Sequence, residues 1–300
     1  MSQLSADAVI ALGKTADWVA ITEDAVWVGS TGPDAVHRID PNTNRRIARV
    51  LLSGKPCAGL AADSGSLWVP LCGAVQSLAK IDLKSNRLTT FAVGRVQAEG
   101  GIAAGAGAVW LIVDPQGTLV RIDPATGAIL KTIQVPPGSF NPYFSGGQVW
   151  VTRAEGSEIT RVDAASGSVV GSVPTGPHPR FLTAALKFIW TLNQGDGSVT
   201  RVDPETLETA TIALHTPGHG GDISSGGGLV WTTMARVPLS GIDAHSLVVR
   251  CQWTGAGGDS LGIGFESIWL TDYFAGSVSR IPLPRAVRDC TGSEGAQPRP

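Results

Sequence analysis

The sequence carries little charge and almost no charge imbalance. Only 16% of its 300 residues are Asp, Glu, Lys or Arg, and the formal net charge at pH 7 is −2. Proteins that bind nucleic acid or anionic membranes electrostatically present a strongly basic surface. The composition gives no sign of such a surface, so we expect neither nucleic acid nor a membrane as a partner.

Long hydrophobic runs are also missing. No apolar stretch reaches the ~18 residues that a membrane-spanning helix needs. Residues 1–14 lack the basic start and long apolar centre of a secretory signal peptide, and apolar residues do not recur at helical spacing. These absences argue against membrane-spanning and helical proteins. They favour short strands joined by turns, for which the 38 Gly and 19 Pro are suited.

Seven tryptophans and six aspartates recur in step along the chain. Successive tryptophans lie 38 to 42 residues apart, and each aspartate follows its tryptophan by 12 to 14 residues. A repeat of about 40 residues with strand-like segments is typical of propeller blades. We therefore predict an all-β, seven-bladed β-propeller that spans residues 1–290 as one domain. The two series are Trp27, Trp68, Trp110, Trp150, Trp190, Trp231 and Trp269, and Asp40, Asp82, Asp123, Asp163, Asp203 and Asp243.

Blade four, numbered by the order of the tryptophans, shows the four strands of one repeat. Its segments are short, rich in β-branched residues and bounded by Gly, Pro, Asp or Ser. The predicted strands are residues 141–146, 148–152, 158–163 and 168–173.

The recurring aspartates are predicted to be structural, because they begin the turn between the third and fourth strands of six blades. An Asp side chain can accept hydrogen bonds from the turn backbone, and Pro or Gly next to it supplies the required φ. A Lys or Arg stands two residues before five of them and is predicted to make inter-strand charge contacts. The blade tryptophans are predicted to pack between blades.

The two ends of the chain are predicted to close the ring. After Trp269 one more strand fits residues 277–281, and then Pro282 and Pro284 interrupt. Residues 7–12 (DAVIAL) resemble a fourth strand that precedes the first complete blade. The N-terminal strand should complete blade seven, which removes an open sheet edge. Residues 291–300 are predicted to be a disordered tail.

Four cysteines allow three pairings. Cys57 and Cys72 lie in one repeat, and Cys251 and Cys290 flank the last one, so the layout favours these two pairs. Four buried free thiols are the alternative. Disulfides would indicate a periplasmic or secreted protein.

Propellers place function where two sets of loops meet at one end of the channel. One set enters the inner strand of each blade, and the other joins the second and third strands. A residue there that does not recur from blade to blade is a site candidate. In the first set these are Asp17, Trp18, Glu99, Asn141, His178, Arg180, His219, Asp222 and Asp259, and in the second Arg153, Asn193, Arg236, Asp272 and Tyr273.

Histidines and acids among these candidates suggest catalysis. An imidazole titrates near neutrality, so His178 and His219 are assigned as general acid and base, with Asp272 as the third catalytic residue. Asp222 and Asp259 are candidate metal ligands, since imidazole and carboxylate together suit several divalent metals. A divalent metal ion is thus a candidate cofactor. Solvated loop histidines bonded to the backbone are the alternative.

The remaining candidates are assigned to ligand binding. Arginines can grip a carboxylate or phosphate, or they can pair with Asp222 or Asp259. Blades two and three carry apolar residues at the same level, so the pocket is expected to have a polar and an apolar half, which suits a small organic molecule. The ligand-binding candidates are Arg180, Arg236, Arg153, Asn193, Tyr273, Trp18 and Tyr143.

Four segments carry a family resemblance: VWVT at 149–152, IWLT at 268–271, SVTRVD at 198–203 and SVSRI at 277–281. Across all seven repeats the chain resembles the bacterial seven-bladed propellers that include streptogramin lyases and YVTN-type surface-layer repeats. The resemblance implies the propeller fold.

The lyases of that group open a cyclic depsipeptide by metal-assisted β-elimination, with a Pro-His before an inner strand and a Glu shortly after the blade Trp. Here Pro-His occurs as Pro177-His178, and the acid occurs as Asp272 on a non-adjacent blade. The lyase pattern is therefore not reproduced.

The sequence leaves two functions open. The first is an enzyme, a lyase or hydrolase that acts on a small molecule in the central pocket by metal-assisted or acid–base chemistry. The second is a non-catalytic exported propeller that binds a small molecule or a protein through the same face. No segment suggests an obligate partner, so we expect a monomer.

Overall fold

The computed structural model describes residues 5–63, 65–216, 218 and 220–292. Seven antiparallel sheets surround a central channel, which confirms the predicted propeller. The first strand of each blade lines the channel, and the next three follow outward.

The strands of blades one to four follow the predicted pattern, except that the inner strand of blade two is split. Blade one comprises Thr15–Ile21, Val26–Thr31, Ala35–Asp40 and Arg45–Leu51; blade two Lys55–Pro56, Ala61–Asp63, Ser66–Cys72, Leu78–Asp82 and Leu88–Phe91; blade three Ile102–Gly105, Ala108–Ile112, Thr118–Ile122 and Ile129–Gln134; and blade four Ser139–Ser145, Gln148–Arg153, Glu158–Asp163 and Ser168–Pro174.

Blades five to seven continue the ring. Blade five comprises Pro179–Ala185, Phe188–Asn193, Ser198–Val202 and Thr209–Ala213; blade six Ile223–Gly226, Leu229–Met234, Val237–Asp243 and Val249–Trp253; and blade seven Leu261–Gly264, Ser267–Asp272 and Ser277–Pro282. A 3-10 turn, Ala154–Gly156, follows the second strand of blade four.

The N-terminal strand closes the ring as predicted. Ala8–Ala11 pairs antiparallel with Ser277–Pro282, with Ala8 opposite Arg280 and Ala11 opposite Ser277. The outer strand of blade seven thus comes from the other end of the chain, and the sheet of blade seven has four strands, as do the sheets of its two neighbours.

A helix, Leu283–Thr291, follows the last strand and was not expected from the sequence. The two prolines that interrupt the strand pattern also suit a helix start, because Pro284 stands in the first turn, where its missing N–H costs nothing. The predicted tail begins at the last helical residue, and residues 293–300 lie outside the described residues. No helix among the described residues has the length and apolar character to cross a membrane.

Both predicted disulfides are present, Cys57–Cys72 and Cys251–Cys290. The second one ties the helix to the outer strand of blade six. All four cysteines are therefore paired, and the free-thiol alternative is wrong.

Each blade tryptophan packs into the blade that follows it. All seven are at most 1% exposed. Trp27 lies among Leu67, Val69 and Ile81 of blade two, and Trp269 reaches across the closure to blade one. The other five make the same step, which confirms the predicted inter-blade packing.

Four of the five basic residues before the turn aspartates pack on these tryptophans, and Arg201 lies over Phe188 instead, at 4.2 Å. Arg38 also pairs with Asp24, so the predicted charge contacts are mostly replaced by cation–π contacts. Arg161 lies directly across the strand pair from Trp150 and places its guanidinium 5.5 Å from the ring centroid. The geometry recurs at 5.3–5.4 Å in four other blades. A cation over an indole face contributes about 0.5–2 kcal/mol. Two of the turn aspartates pair with other cations, Asp203 with Lys187 at 3.0 Å and Asp243 with Arg250 at 3.1 Å.

The aspartates have the predicted structural role. Asp123 Oδ1 accepts the backbone N–H of Ala125 at 2.7 Å, and Asp163 Oδ1 accepts that of Ser166 at 2.8 Å. The Ala125 N–H lowers the pKa of Asp123, and the Ser166 hydroxyl, at 2.6 Å, together with the Ser166 N–H lowers the pKa of Asp163, because these bonds stabilise the ionised form. The same bonding recurs at the other four turns.

Blade six replaces the basic residue with Gly241, opposite Trp231. A Cβ at Gly241 would lie 2.6 Å from Cys290 Sγ, 2.9 Å from Cys251 Sγ and 3.1 Å from the Trp231 ring. Glycine is therefore required where the disulfide packs on the indole.

We expect Gly241→Ala to lower the free energy of unfolding by about 1–3 kcal/mol, because the added methyl overpacks the disulfide against the indole. Urea titration of the oxidised protein measures the change. Gly59→Ala is the matched control, since its nearest neighbours lie at 3.7 Å or more. Equal stabilities of the two variants would contradict this packing argument.

Candidate functional site

The two loop sets converge on a cavity of about 940 Å³ at one mouth of the channel. This mouth cavity is lined by residues from the loops that enter the inner strands and from those after the second strands. Nine of the site candidates line it: Asp17, Trp18, Glu99, His178, Arg180, Arg236, Asp259, Asp272 and Tyr273.

Two aromatic rings form the floor of the mouth cavity. Trp18 of blade one and Phe181 of blade five reach towards each other across the channel, with ring centroids 5.8 Å apart. Both are less than 10% exposed. Both rings also border a second cavity of about 530 Å³ among the inner strands. The aromatic pair therefore separates the mouth cavity from the rest of the channel.

β-Bulges present two of the lining side chains. In blade one Asp17 pairs with Gly29 and Val19 with Val28, so Trp18 is the extra residue. In blade five Arg180 is likewise the extra residue in the pairing of the inner strand with the second strand. A bulge turns a side chain out of the regular alternation. This local geometry explains how residues of inner strands enter the mouth cavity.

Asp17 and Asp259 place their carboxyl groups side by side in the cavity wall. Burial is the largest cause that raises the pKa of Asp17 well above its usual range, and the charges of Asp259 and Glu99 add to it. Burial also raises the pKa of Asp259, although the backbone N–H of Gly221, 3.4 Å from its Oδ1, opposes this. Two adjacent carboxyl groups in a low-dielectric wall share one proton more readily than they both ionise.

Glu99 approaches this pair from blade three. Its backbone N–H donates to the carbonyl of Cys57 at 2.7 Å, which ties its loop to the Cys57–Cys72 disulfide. Burial and the charge of Asp259 raise the pKa of Glu99, and Arg180 counteracts them.

Arg180 is engaged by the protein. Its guanidinium lies 3.7 Å from the centroid of Phe140, and Nη2 donates to the backbone carbonyl of Glu99 at 3.4 Å. Burial lowers its pKa, and the Glu99 charge raises it. The neighbour of this arginine is therefore Glu99, and the predicted pairing with Asp222 or Asp259 is not formed.

His178 occupies a strained backbone position. Its φ is +54°, in the left-handed region that disfavours side chains. The equivalent positions of blades four and seven are Gly138 and Gly257, with φ of +79° and +89°. Two other blades use glycine at this position, whereas blade five carries an exposed imidazole at the rim of the cavity.

Arg236 is a second side chain where other blades have glycine. Its φ is +71°, and the equivalent residues of blades one and two are Gly32 and Gly73, with φ of +64° and +73°. Strain of this kind persists where the surrounding structure imposes it, and it concentrates at functional sites.

Asp222 lies below the aromatic floor, in the second cavity. Its Oδ2 accepts a 2.7 Å hydrogen bond from Ser260 Oγ and a 3.3 Å bond from the Leu261 N–H, and Oδ1 accepts the Ile223 N–H at 2.8 Å. Burial outweighs these bonds and raises the pKa of Asp222 to about 6.

Three predicted ligand-binding residues lie outside the mouth cavity. Arg153 forms a 2.8 Å ion pair with Glu158. Asn193 is fully buried and donates to the hydroxyl groups of Ser198 and Thr200 on the adjacent strand of blade five. Tyr143 borders the second cavity. His219 lies outside the described residues.

Sequence reasoning gave no role to several lining residues. Asp17 was noted only as a non-repeating polar residue, and its position beside the off-register Trp18 was the available signal. Phe181 sits in a regular strand pattern, and Phe274 is 91% exposed in a turn. Nothing in the sequence marks either of these two, because their role depends on which side chains meet across the ring.

The described residues do not assemble a metal site by themselves. Within residues 5–63, 65–216, 218 and 220–292, no group of three or more His, Cys, Asp or Glu side chains is arranged to hold a metal ion. Both oxygens of Asp222 accept hydrogen bonds from the protein, and Asp259 lies beside Asp17 and accepts the Gly221 N–H. The metal assignment of Asp222 and Asp259 remains a prediction.

Comparison with known proteins supports the fold alone. No protein-family model matches the chain, and no curated protein matches it in sequence. A solved streptogramin B lyase superposes with a TM-score of 0.77 at 15% identity, covering 91% of this chain and 96% of that one. BamB from Moraxella catarrhalis superposes with a TM-score of 0.64 at 13% identity, covering 92% and 99%.

We expect His178→Gly to be more stable than His178→Ala by about 1 kcal/mol, because glycine adopts the left-handed φ without strain. Thermal melts of both variants measure this difference. A melting temperature for His178→Gly at or below that of His178→Ala would show that the loop is not strained at this residue.

Asp222 should make the protein less stable as the pH rises through about 6. Its folded pKa of about 6 lies above the ordinary value of 3.8, so between these values the folded protein binds a proton that the unfolded chain releases. Asp222→Asn should remove this contribution. Compared with the wild type, its free energy of unfolding at pH 7 relative to that at pH 5 should be higher by roughly 1–2 kcal/mol, a figure that includes an allowance for solvent screening.

Urea titrations of wild type and Asp222→Asn at both pH values test the Asp222 assignment. Asp289→Asn on the exposed face of the helix is the control. An unchanged pH dependence in Asp222→Asn would contradict the assignment.

Proposed function

We propose that the protein is an enzyme of the lyase or hydrolase class that acts on a small organic molecule in the mouth cavity by proton transfer. The carrying observation is the Asp17–Asp259 carboxyl pair in the wall of a ligand-sized cavity. A pair that shares one proton contains an acid and a base side by side. The likeness to a lyase structure supports only the fold, so it does not carry this proposal.

The proposed chemistry needs a base and an acid at the reacting bond. In an elimination, the ionised carboxylate of the pair takes a proton from carbon, and a protonated group supplies one to the departing atom. In a hydrolysis, the carboxylate takes the proton from the attacking water. His178, on the rim of the same cavity, is the second proton-transfer group in either case.

Other lining residues support this proposal by orienting the substrate. Asp272 Oδ1 accepts the Ala275 N–H at 2.9 Å, which fixes its carboxylate at the wall. The Trp18–Phe181 floor limits the depth that a substrate can reach and excludes water from below. No step proposed here passes through a metal ion.

We also propose that the protein works outside the cytoplasm. Two disulfides, one of which ties down the Glu99 loop, form and persist in an oxidising compartment. A periplasmic or secreted location would provide one.

The test is a turnover screen with model substrates for elimination and for ester and amide hydrolysis. On any active substrate, Asp259→Asn should lower kcat by about 100-fold or more, and His178→Ala should lower it by a similar factor. The double variant of His178 and His219 to Ala should abolish turnover while the melting curve remains cooperative. Asp289→Asn serves as the control.

A ligand that binds the mouth cavity without any turnover would contradict the enzyme proposal. That result would favour the alternative of a non-catalytic binding propeller. Full activity in Asp259→Asn would remove the carboxyl pair from the mechanism.

A further inference from the structure

Acidic side chains outnumber basic ones around the mouth cavity. Four carboxyl groups and two guanidinium groups line it: Asp17, Glu99, Asp259 and Asp272, against Arg180 and Arg236. One of the two guanidinium groups, that of Arg180, already lies against Phe140 and Glu99. The acidic excess therefore remains after the internal contacts are counted, even with one proton shared between Asp17 and Asp259.

Three of these carboxyl groups lack a cationic partner within the described part of the chain. The ion pairs formed there join other residues. Asp17, Asp259 and Asp272 accept hydrogen bonds from backbone N–H groups, and the carboxyl groups of Asp17 and Asp259 lie side by side. Buried or half-buried carboxylates without a counter-charge are costly. A positively charged ligand would supply the missing charge.

Aromatic surface is available beside these acids. Trp18 forms the floor, and Tyr273 follows Asp272 directly, with its ring 5.3 Å from that of Phe274 in an edge-to-face contact. Phe274 is 91% exposed, which is unusual for so large an apolar ring. Aromatic faces beside carboxylates attract organic cations by cation–π and apolar contact together.

The size of the mouth cavity fits a small organic molecule. Its volume of about 940 Å³ is near the upper end of the range for pockets that bind drug-sized ligands. A bare inorganic ion would leave most of that space and the aromatic surface unused. The lining therefore combines a charge requirement with an apolar one.

We propose that the ligand of the mouth cavity is an organic cation, an amine with an apolar or aromatic body. Its ammonium group is bound by the carboxylates of Asp259 and Asp272, and its body lies over Trp18 and against Tyr273. This inference rests on the proposed function only because both use the mouth cavity. It replaces the ligand expected from the sequence, a carboxylate or phosphate bound by arginine, with an organic cation.

Three probes with one aromatic body and different charge test this inference: phenethylamine, 2-phenylethanol and 3-phenylpropanoate. Calorimetric titration at pH 7.5 should give an affinity for the amine at least about tenfold above that for the alcohol. The carboxylate should bind more weakly than the alcohol. Raising the salt concentration should weaken the binding of the amine and of neither other probe.

Variants locate the charge recognition. Asp259→Asn and Asp272→Asn should each lower the amine affinity by about tenfold and leave the alcohol affinity unchanged. Asp272→Asn keeps the inference testable if loss of the carboxyl pair impairs folding. Asp289→Asn, which lies on the C-terminal helix, should bind all three probes like the wild type.

Two outcomes would overturn the cation assignment. One is a carboxylate probe that binds as tightly as the amine, and the other is an amine affinity that both Asp variants leave unchanged. In either case a substrate that is turned over in the separate screen would leave the enzyme proposal standing. Conversely, amine binding with no turnover of any substrate would support this inference and contradict the enzyme proposal.

Discussion

Each blade depends on the next through one buried indole. A tryptophan from the second strand of a blade lies in the hydrophobic core of the following blade, and the last tryptophan reaches blade one. The ring can therefore be completed only when all seven sheets are present, which is why the N-terminal strand must supply the missing edge of blade seven. Burial of this size outweighs the cost of strained loops elsewhere.

The same interlock leaves the loops at the channel mouth free to differ. Structural residues recur in every blade because each inter-blade contact needs them, whereas the mouth loops contribute little to that contact. His178 and Arg236 stand where other blades have glycine, and Asp17 and Asp259 are held together against their mutual repulsion. Of the fourteen described non-glycine residues with positive φ, four line this cavity together with the carboxyl pair: Trp18, Glu99, His178 and Arg236. Backbone strain of this kind is found at functional sites.

Much of the fold could be predicted because repetition is visible in the chain. The strands of blade four, the closing strand and the turn aspartates follow from spacing and turn chemistry. The cysteine layout favoured both disulfides but left free thiols open until the structure showed the two bonds. The helix after Ser277–Pro282 could not, since two prolines end a strand and begin a helix equally well. Five basic residues were expected to pair with charges, but four of them lie over the indole that faces them across the strand pair, and Arg201 lies over Phe188.

The sequence by itself determined the architecture and which loops can carry a site, because periodicity of strands, turns and tryptophans is a local property. Only the tertiary structure decided which candidates meet. It placed Trp18 against Phe181 from across the ring, and Asp17 against Asp259 from opposite ends of the chain. It also showed that Arg153 and Asn193 contact other residues of the protein and do not line the mouth cavity. These outcomes depend on bulges and on distances across the channel, which no spacing along the chain encodes.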